Sequence, residues 1–308
     1  MCEYRRGMPR LIVGTRDGLY DFDVANGHLA QSHEGRDVTD VAPEGSELWA
    51  ILDGKEIWHA ADIDNWVRVA ELTGLAANCI ADTRAGVVVG TSEARLFRVA
   101  GHELEPISSF DDIGDRTEWF TPWGGSPDTR SISEDRDAVY VNVHVGGILR
   151  SDDQGETWRP TIDIQADVHS VLARPGLLLA ACANGLATSG DSGSSWAVRS
   201  DGLHAAYCRG VAVCGDRVLL SASTGPGGHR SALYSAELTG GLFERCTTGL
   251  PEWFDDNIDS LCLDAVPDGS TAAFGTADGG VFASMDDGET WETIAADLPR
   301  VNCVLALP

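Results

Sequence analysis

Lysine is nearly absent from this chain. Lys55 stands alone among 308 residues, and the other 21 of the 22 cationic side chains are arginines. Against 48 acidic residues they leave a formal charge of −26. That balance argues against nucleic acid as a partner, because phosphate recognition needs clustered cations. No run of about 18 apolar residues occurs, so no membrane-spanning helix is expected. The opening Met1-Cys-Glu-Tyr-Arg-Arg is not followed by the apolar stretch of a secretory signal, and a cytoplasmic protein is expected. None of the eight cysteines belongs to a Cys-x-x-Cys pair, so neither a zinc knuckle nor a redox motif is visible. Most lie in apolar runs such as Ser260-Leu-Cys262-Leu, where cysteine acts as a small buried hydrophobe. What is present is acid, arginine, 43% hydrophobic residues and 35 glycines, a globular composition rather than a disordered one. Acidity with scarcely any lysine fits solubility in strong salt, where self-repulsion is screened. A halophilic source is therefore expected, with a high-GC genome as the alternative reason for arginine in place of lysine.

One motif recurs three times: Ser151-Asp-Asp153-Gln-Gly155-Glu-Thr157-Trp158, Ser189-Gly-Asp191-Ser-Gly193-Ser-Ser195-Trp196 and Ser284-Met-Asp286-Asp-Gly288-Glu-Thr290-Trp291. A degenerate copy, Ala60-Ala-Asp62-Ile-Asp64-Asn-Trp66, is one residue short. The pattern reads as a hairpin turn. Asp153, Asp191 and Asp286 can accept hydrogen bonds from turn amides, the glycine tolerates positive φ, and Thr/Ser-Trp restarts a strand. Trp158, Trp196 and Trp291 then offer large apolar surfaces to a neighbouring unit. Around each motif lies a larger unit of four short strands, as in His169-Ser-Val-Leu-Ala, Leu177-Leu-Leu-Ala-Ala, Asn184-Gly-Leu-Ala-Thr-Ser and Trp196-Ala-Val-Arg. Four-stranded units repeated radially make a β-propeller.

Aligning the first strands gives a polar residue, a usually small residue and an aliphatic. The copies begin at Thr39, Asn78, Arg130, His169, Arg209, Asp259 and Asn302, spaced 39, 52, 39, 40, 50 and 43 residues apart. Each interval suits one blade of about 40–45 residues, and the count is seven. The last copy is followed only by Val304-Leu-Ala-Leu-Pro308, while the chain begins with matches to a second and third strand, Leu11-Ile-Val-Gly14 and Gly18-Leu-Tyr-Asp-Phe22. The C-terminal strand is therefore expected to complete the N-terminal blade, leaving no open edge. The fold expected is all-β: one seven-bladed propeller domain over residues 1–308, with a flexible N-terminus at 1–9. A monomer is expected.

The Ser-x-Asp-x-Gly-x-Thr-Trp boxes resemble the Asp-box, or BNR repeat, of sialidase-like β-propellers. The resemblance covers essentially the whole chain at the level of the repeat. Families sharing such boxes include sialidases, plant-polysaccharide-degrading glycosidases, sortilin-type receptors and photosystem II assembly factors, so it implies a fold more firmly than a reaction. Sialidases also carry an Arg-Ile-Pro motif and an arginine triad. This chain has no Arg-Ile-Pro and reads Val13-Gly-Thr-Arg-Asp-Gly18 there, with Arg16 in a turn.

In a propeller, loops joining fourth to first and second to third strands open on one face, and the box turns open on the other. The boxes read as structural. On the first face three loops are enlarged: Asp111–Thr129 with Trp119 and Trp123, Gly249–Asn257 with Trp253, and Thr224–Arg230 with His229. Enlarged loops often carry function. Thr39, Asn78, Arg130, His169, Arg209, Asp259 and Asn302 should ring the entrance to the central channel. There Arg130 and Arg209 would offer forked donors for carboxylate, phosphate or sugar-acid groups. The competing reading is an internal network in which Asp259 neutralises an arginine. His144, His204 and His229 could share this face with His169, but their spacing matches no ligand pattern. Neither metal nor cofactor is expected. The function expected is non-catalytic binding of a small anionic or sugar-like ligand, or of a protein. The alternative is a glycoside hydrolase using Asp259 with Asp128 or Asp167.

Overall fold

Short aliphatic runs bounded by turn residues become the second strands of the blades. Val139–Val143 and Leu177–Cys182 are examples, buried along nearly their whole length. A strand covered on both sides reads as a continuous apolar run rather than an alternating one. The computed structural model describes residues 9–308 apart from 25, 62, 64, 122, 123 and 268. The first eight residues, Asp62 and Asp64 of the short motif copy, and Trp123 thus lie outside the described residues.

Seven four-stranded antiparallel sheets are arranged around a central channel. Blade one joins Arg10–Thr15, Gly18–Asp23 and His28–Ser32 to the C-terminal strand Val301–Leu307, which pairs with Arg10–Thr15. Blades two to seven begin with inner strands Val38–Glu44, Ala77–Thr83, Thr129–Glu134, Val168–Arg174, Tyr207–Cys214 and Leu263–Ala265. The ring closes as expected. Between blades lie apolar layers: Tyr20 and Phe22 of blade one share a cluster with Phe274, Val281 and Trp291 of blade seven. In blade seven the regular inner strand starts later than the Asp259-Ser-Leu261 alignment implies. Asp259 to Cys262 instead close a turn, with Cys262 N donating to Asp259 O at 3.0 Å.

The three complete boxes join third to fourth strands and share one hydrogen-bond pattern. Asp153 accepts from Thr157 N at 2.9 Å and from Thr157 Oγ1 at 2.6 Å, while Gly155 N donates to Ser151 Oγ at 2.8 Å. The boxes at Asp191 and Asp286 repeat these bonds. The residue before each glycine is also left-handed, at Gln154, Ser192 and Asp287. The glycine is needed for space as well as for φ. A Cβ on Gly288 would lie 2.8 Å from Leu219 Cδ2 of blade six.

Six inner strands share an irregularity that positions the channel mouth. Five skip one residue in their pairing, Thr39, Asn78, Arg130, His169 or Asn302, and the sixth skips two, Arg209 and Gly210. A bulge leaves its extra residue unpaired and re-aims the side chain.

Candidate functional site

At the channel mouth the skipped residues are joined by others from the chain just upstream. Alternate residues of an extended strand face the same way, so Asp37, Asp128 and Arg300, each two positions before a ring residue, reach the same opening. Arg16 joins from the turn after Arg10–Thr15, its amide donating to Arg300 O at 3.1 Å. The resulting cavity, about 390 Å³, is lined by Arg16, Arg130, Arg209 and Arg300 against Asp37, Asp128 and Asp259, with Thr39, Asn78 and Asn302 between them. In a chain of charge −26, the lining holds one more cation than anions.

These charges are unevenly paired. Arg209 Nη1 contacts Asp259 Oδ1 closely, and Arg209 Nη2 donates to Tyr207 Oη at 3.3 Å. Arg300 reaches Asp259 Oδ2 at 3.3 Å and Asp256 Oδ2 at 3.1 Å. Asp259 thus serves two guanidinium groups. Arg130 has no hydrogen-bond or ion-pair partner among the described residues. Burial, and then the neighbouring Arg209, push its pKa below the ordinary value. Asp128 and Asp259 offset that burial through space, without a hydrogen bond to Arg130.

Other ring positions clamp neighbouring blades together. Asn78 Nδ2 donates to Thr129 O at 3.3 Å, His169 Nδ1 contacts Cys208 O at 2.6 Å, and Asn302 Nδ2 donates to Val38 O at 3.0 Å. Each accepting carbonyl belongs to the residue before the next blade's ring position. His169 therefore does not line the mouth; it is fully buried, beside the ring of Tyr207 at 4.7 Å. Burial lowers its pKa to about 4, so it is neutral at physiological pH.

The enlarged loops place their aromatics elsewhere. Trp119 is buried against Phe110 with Arg116 over its ring at 5.2 Å. Trp253 lies between Arg230 and Arg245, at 4.4 and 4.6 Å, with His204 at 4.7 Å. His229 is exposed, and its carbonyl accepts from Thr224. His144, nearly buried, meets Asp167 Oδ1 through Nε2 at 3.0 Å, and this contact holds the Asp167 carboxyl below its usual range. Arg16, Asp37 and Arg300 were not singled out by the repeat alignment. The signal for Asp37 and Arg300 was the period of two along the first strand, read backwards from the ring residue.

No helix among the described residues is long and apolar enough to cross a membrane. No family model matches the sequence, and no curated protein matches it either. Among solved structures the chain is similar to YCF48 from Cyanidioschyzon merolae, at 15% identity and a TM-score of 0.60, covering 90% of this chain and 88% of that one. A structure of YCF48 bound to D1 peptide gives 13% identity and 0.57, covering 92% and 87%. The WD40 propeller domain of Doa1 gives 13% identity and 0.62, covering 83% and 81%. The GH74 xyloglucanase from Xanthomonas campestris gives 15% identity and 0.56, covering 92% of this chain and 46% of that one. At these identities the likeness is one of fold: the chain is a seven-bladed β-propeller.

Proposed function

We propose that this chain is a non-catalytic binding propeller of the Asp-box type, whose channel mouth takes an anionic group. That group is a carboxylate, phosphate or sugar acid carried by a small ligand or by a protein. The observation that carries this reading is Arg130, a largely buried guanidinium without a partner among the described residues, facing a cavity of about 390 Å³ beside Arg209. Burying a charge without a partner is costly, and an incoming carboxylate would supply two of its fork bonds. The Asp-box assignment rests on three box turns that share one hydrogen-bond pattern. A protein partner is supported by fold neighbours that include a peptide-bound propeller.

Glycoside hydrolysis is the second reading, because Asp128 and Asp259 share the mouth. It needs one carboxyl group free to give up a proton and another to act as nucleophile or base. Asp259 is already engaged by two guanidinium groups, and the His144 contact holds the Asp167 carboxyl below its usual range, which weakens Asp167 as a proton donor.

The test is calorimetric titration with inorganic phosphate, citrate and glucuronate. Wild type is expected to bind at least one of them. Arg130→Ala should lower that affinity at least tenfold, since hydrogen bonds to charged groups contribute about 1.5–3 kcal/mol, while the melting temperature stays within a few degrees. Absence of binding to all three, or a variant that melts far below wild type, would overturn the proposal.

A further inference from the structure

Behind the mouth, three side chains from two blades converge on a point the anion-binding reading does not use. His144 follows the second strand of blade four, Val139–Val143. Asp167 and His169 lie at the start of the inner strand of blade five. One donor atom from each lies within 4.8 Å of the others. Asp167 Oδ1 is 3.0 Å from His144 Nε2 and 3.7 Å from His169 Nε2. Ligands around one transition-metal ion, with bonds of about 2.0–2.2 Å, stand roughly 3–3.5 Å apart, so the carboxylate is already at ligand spacing from His144 and slightly beyond it from His169.

The second observation is the state of His169. Its side chain is fully buried, and Nε2 has no hydrogen-bond partner among the described residues. Its other ring nitrogen meets the carbonyl of Cys208 at 2.6 Å. That contact fixes the proton on Nδ1 and turns the Nε2 lone pair toward Asp167. A backbone carbonyl on the far nitrogen is the usual outer support of a metal-binding histidine. A lone pair buried without a donor is otherwise an uncompensated cost.

We propose that His144, Asp167 and His169 form a binding site for a divalent late transition-metal ion of the zinc type. The donor set is two imidazole nitrogens and one carboxylate oxygen, with the remaining position open to water or an anion. Borderline ions such as zinc and cobalt suit nitrogen-rich donors better than magnesium or calcium do. For the ion to enter, His144 takes the Nδ1–H tautomer and frees the Nε2 now shared with Asp167. The two imidazoles then move closer together around the ion. Arg130 and Arg209 act electrostatically on His169 from the channel side. They oppose an extra positive charge there, which favours an anion in the open position. This site stands apart from the anion-binding reading and survives its failure.

The experiment is titration of the untagged, chelator-treated protein with Co²⁺, read by visible d–d absorption, with Zn²⁺ competition. One Co²⁺ per chain is expected, displaced by Zn²⁺ and not by Mg²⁺. His169→Ala should weaken binding at least about a hundredfold, the upper range for loss of even an outer-shell partner. Asp167→Asn changes a side chain that is one-third exposed and keeps the test valid if the histidine variant does not fold; it should weaken binding at least tenfold. His59→Ala removes a separate surface group of Glu44, Glu47 and His59 and should leave the signal unchanged. No bound Co²⁺ in wild type, equal affinity in Asp167→Asn, or loss of the signal in His59→Ala would each overturn the proposal.

Discussion

Removing residues 301–308 is the most direct test of ring closure. The excised strand is the inner strand of blade one, and its residues from Val301 to Leu307 pair along Arg10–Thr15. It also reaches both neighbouring blades. Val304 N donates to Leu261 O at 2.8 Å, Ala306 N to Asp264 Oδ2 at 2.8 Å, and Asn302 Nδ2 to Asp37 Oδ1 at 2.7 Å. Val301, Val304 and Leu305 are 2%, 6% and 9% exposed. Each such side chain contributes about 1.5–3 kcal/mol on burial, so the three together contribute about 5–9 kcal/mol. Domain stability is on the order of 5–15 kcal/mol, and the truncation also bares the edge of Arg10–Thr15 to water. The truncated chain should lose its cooperative transition in circular-dichroism melts and urea titrations. A synthetic peptide of residues 301–308, added in trans, should restore part of that transition. A truncated chain that melts cooperatively at the wild-type temperature would refute the closure argument.

Two further perturbations test the box turns and the channel. Trp291 is 3% exposed and packs edge-on against Phe274 at 5.1 Å, so Trp291→Ala should cost about 3–5 kcal/mol in urea denaturation. The half-buried Trp196 should cost clearly less when changed to alanine; equal losses would show that the boxes do not act through this packing. Burial pushes the Asp40 carboxyl up from 3.8 to about 7, against backbone donors from Val41 and Ile80. A raised carboxyl pKa means the folded state holds the proton longer than the unfolded chain. The stability Asp40 contributes is therefore full below about pH 4 and falls as pH rises toward 7. The difference in unfolding free energy between wild type and Asp40→Asn, followed from pH 4 to 8, should carry this slope. A flat difference would remove Asp40 as its source.

The propeller was legible because its signals are local and repeated. A Ser-x-Asp-x-Gly box needs only residues within eight positions to close its own hydrogen bonds, and the second strands announce themselves as apolar runs. The ring residues were also found by alignment, but their fates were not. Asn78, His169 and Asn302 carry ordinary polar side chains, and nothing near them in sequence says that each meets a carbonyl of the next blade 39 or more residues away. Trp119 and Trp253 share a face in the alignment, yet one is buried against Phe110 and the other stacks between two arginines.

The sequence by itself determined the all-β class, the seven units, the closure of the ring and the acidity of the surface. Each follows from periodicity or composition, and both survive any rearrangement of side chains. Only the tertiary structure decided which charges are neutralised. Arg130 and Arg209 occupy equivalent positions and look alike in the chain, but Asp259 reaches one and not the other. It likewise brought His144 within ligand distance of Asp167 and His169 across a blade boundary. Pairing of charges and convergence of ligands depend on distances of a few ångströms between segments far apart in sequence. A local pattern does not encode them.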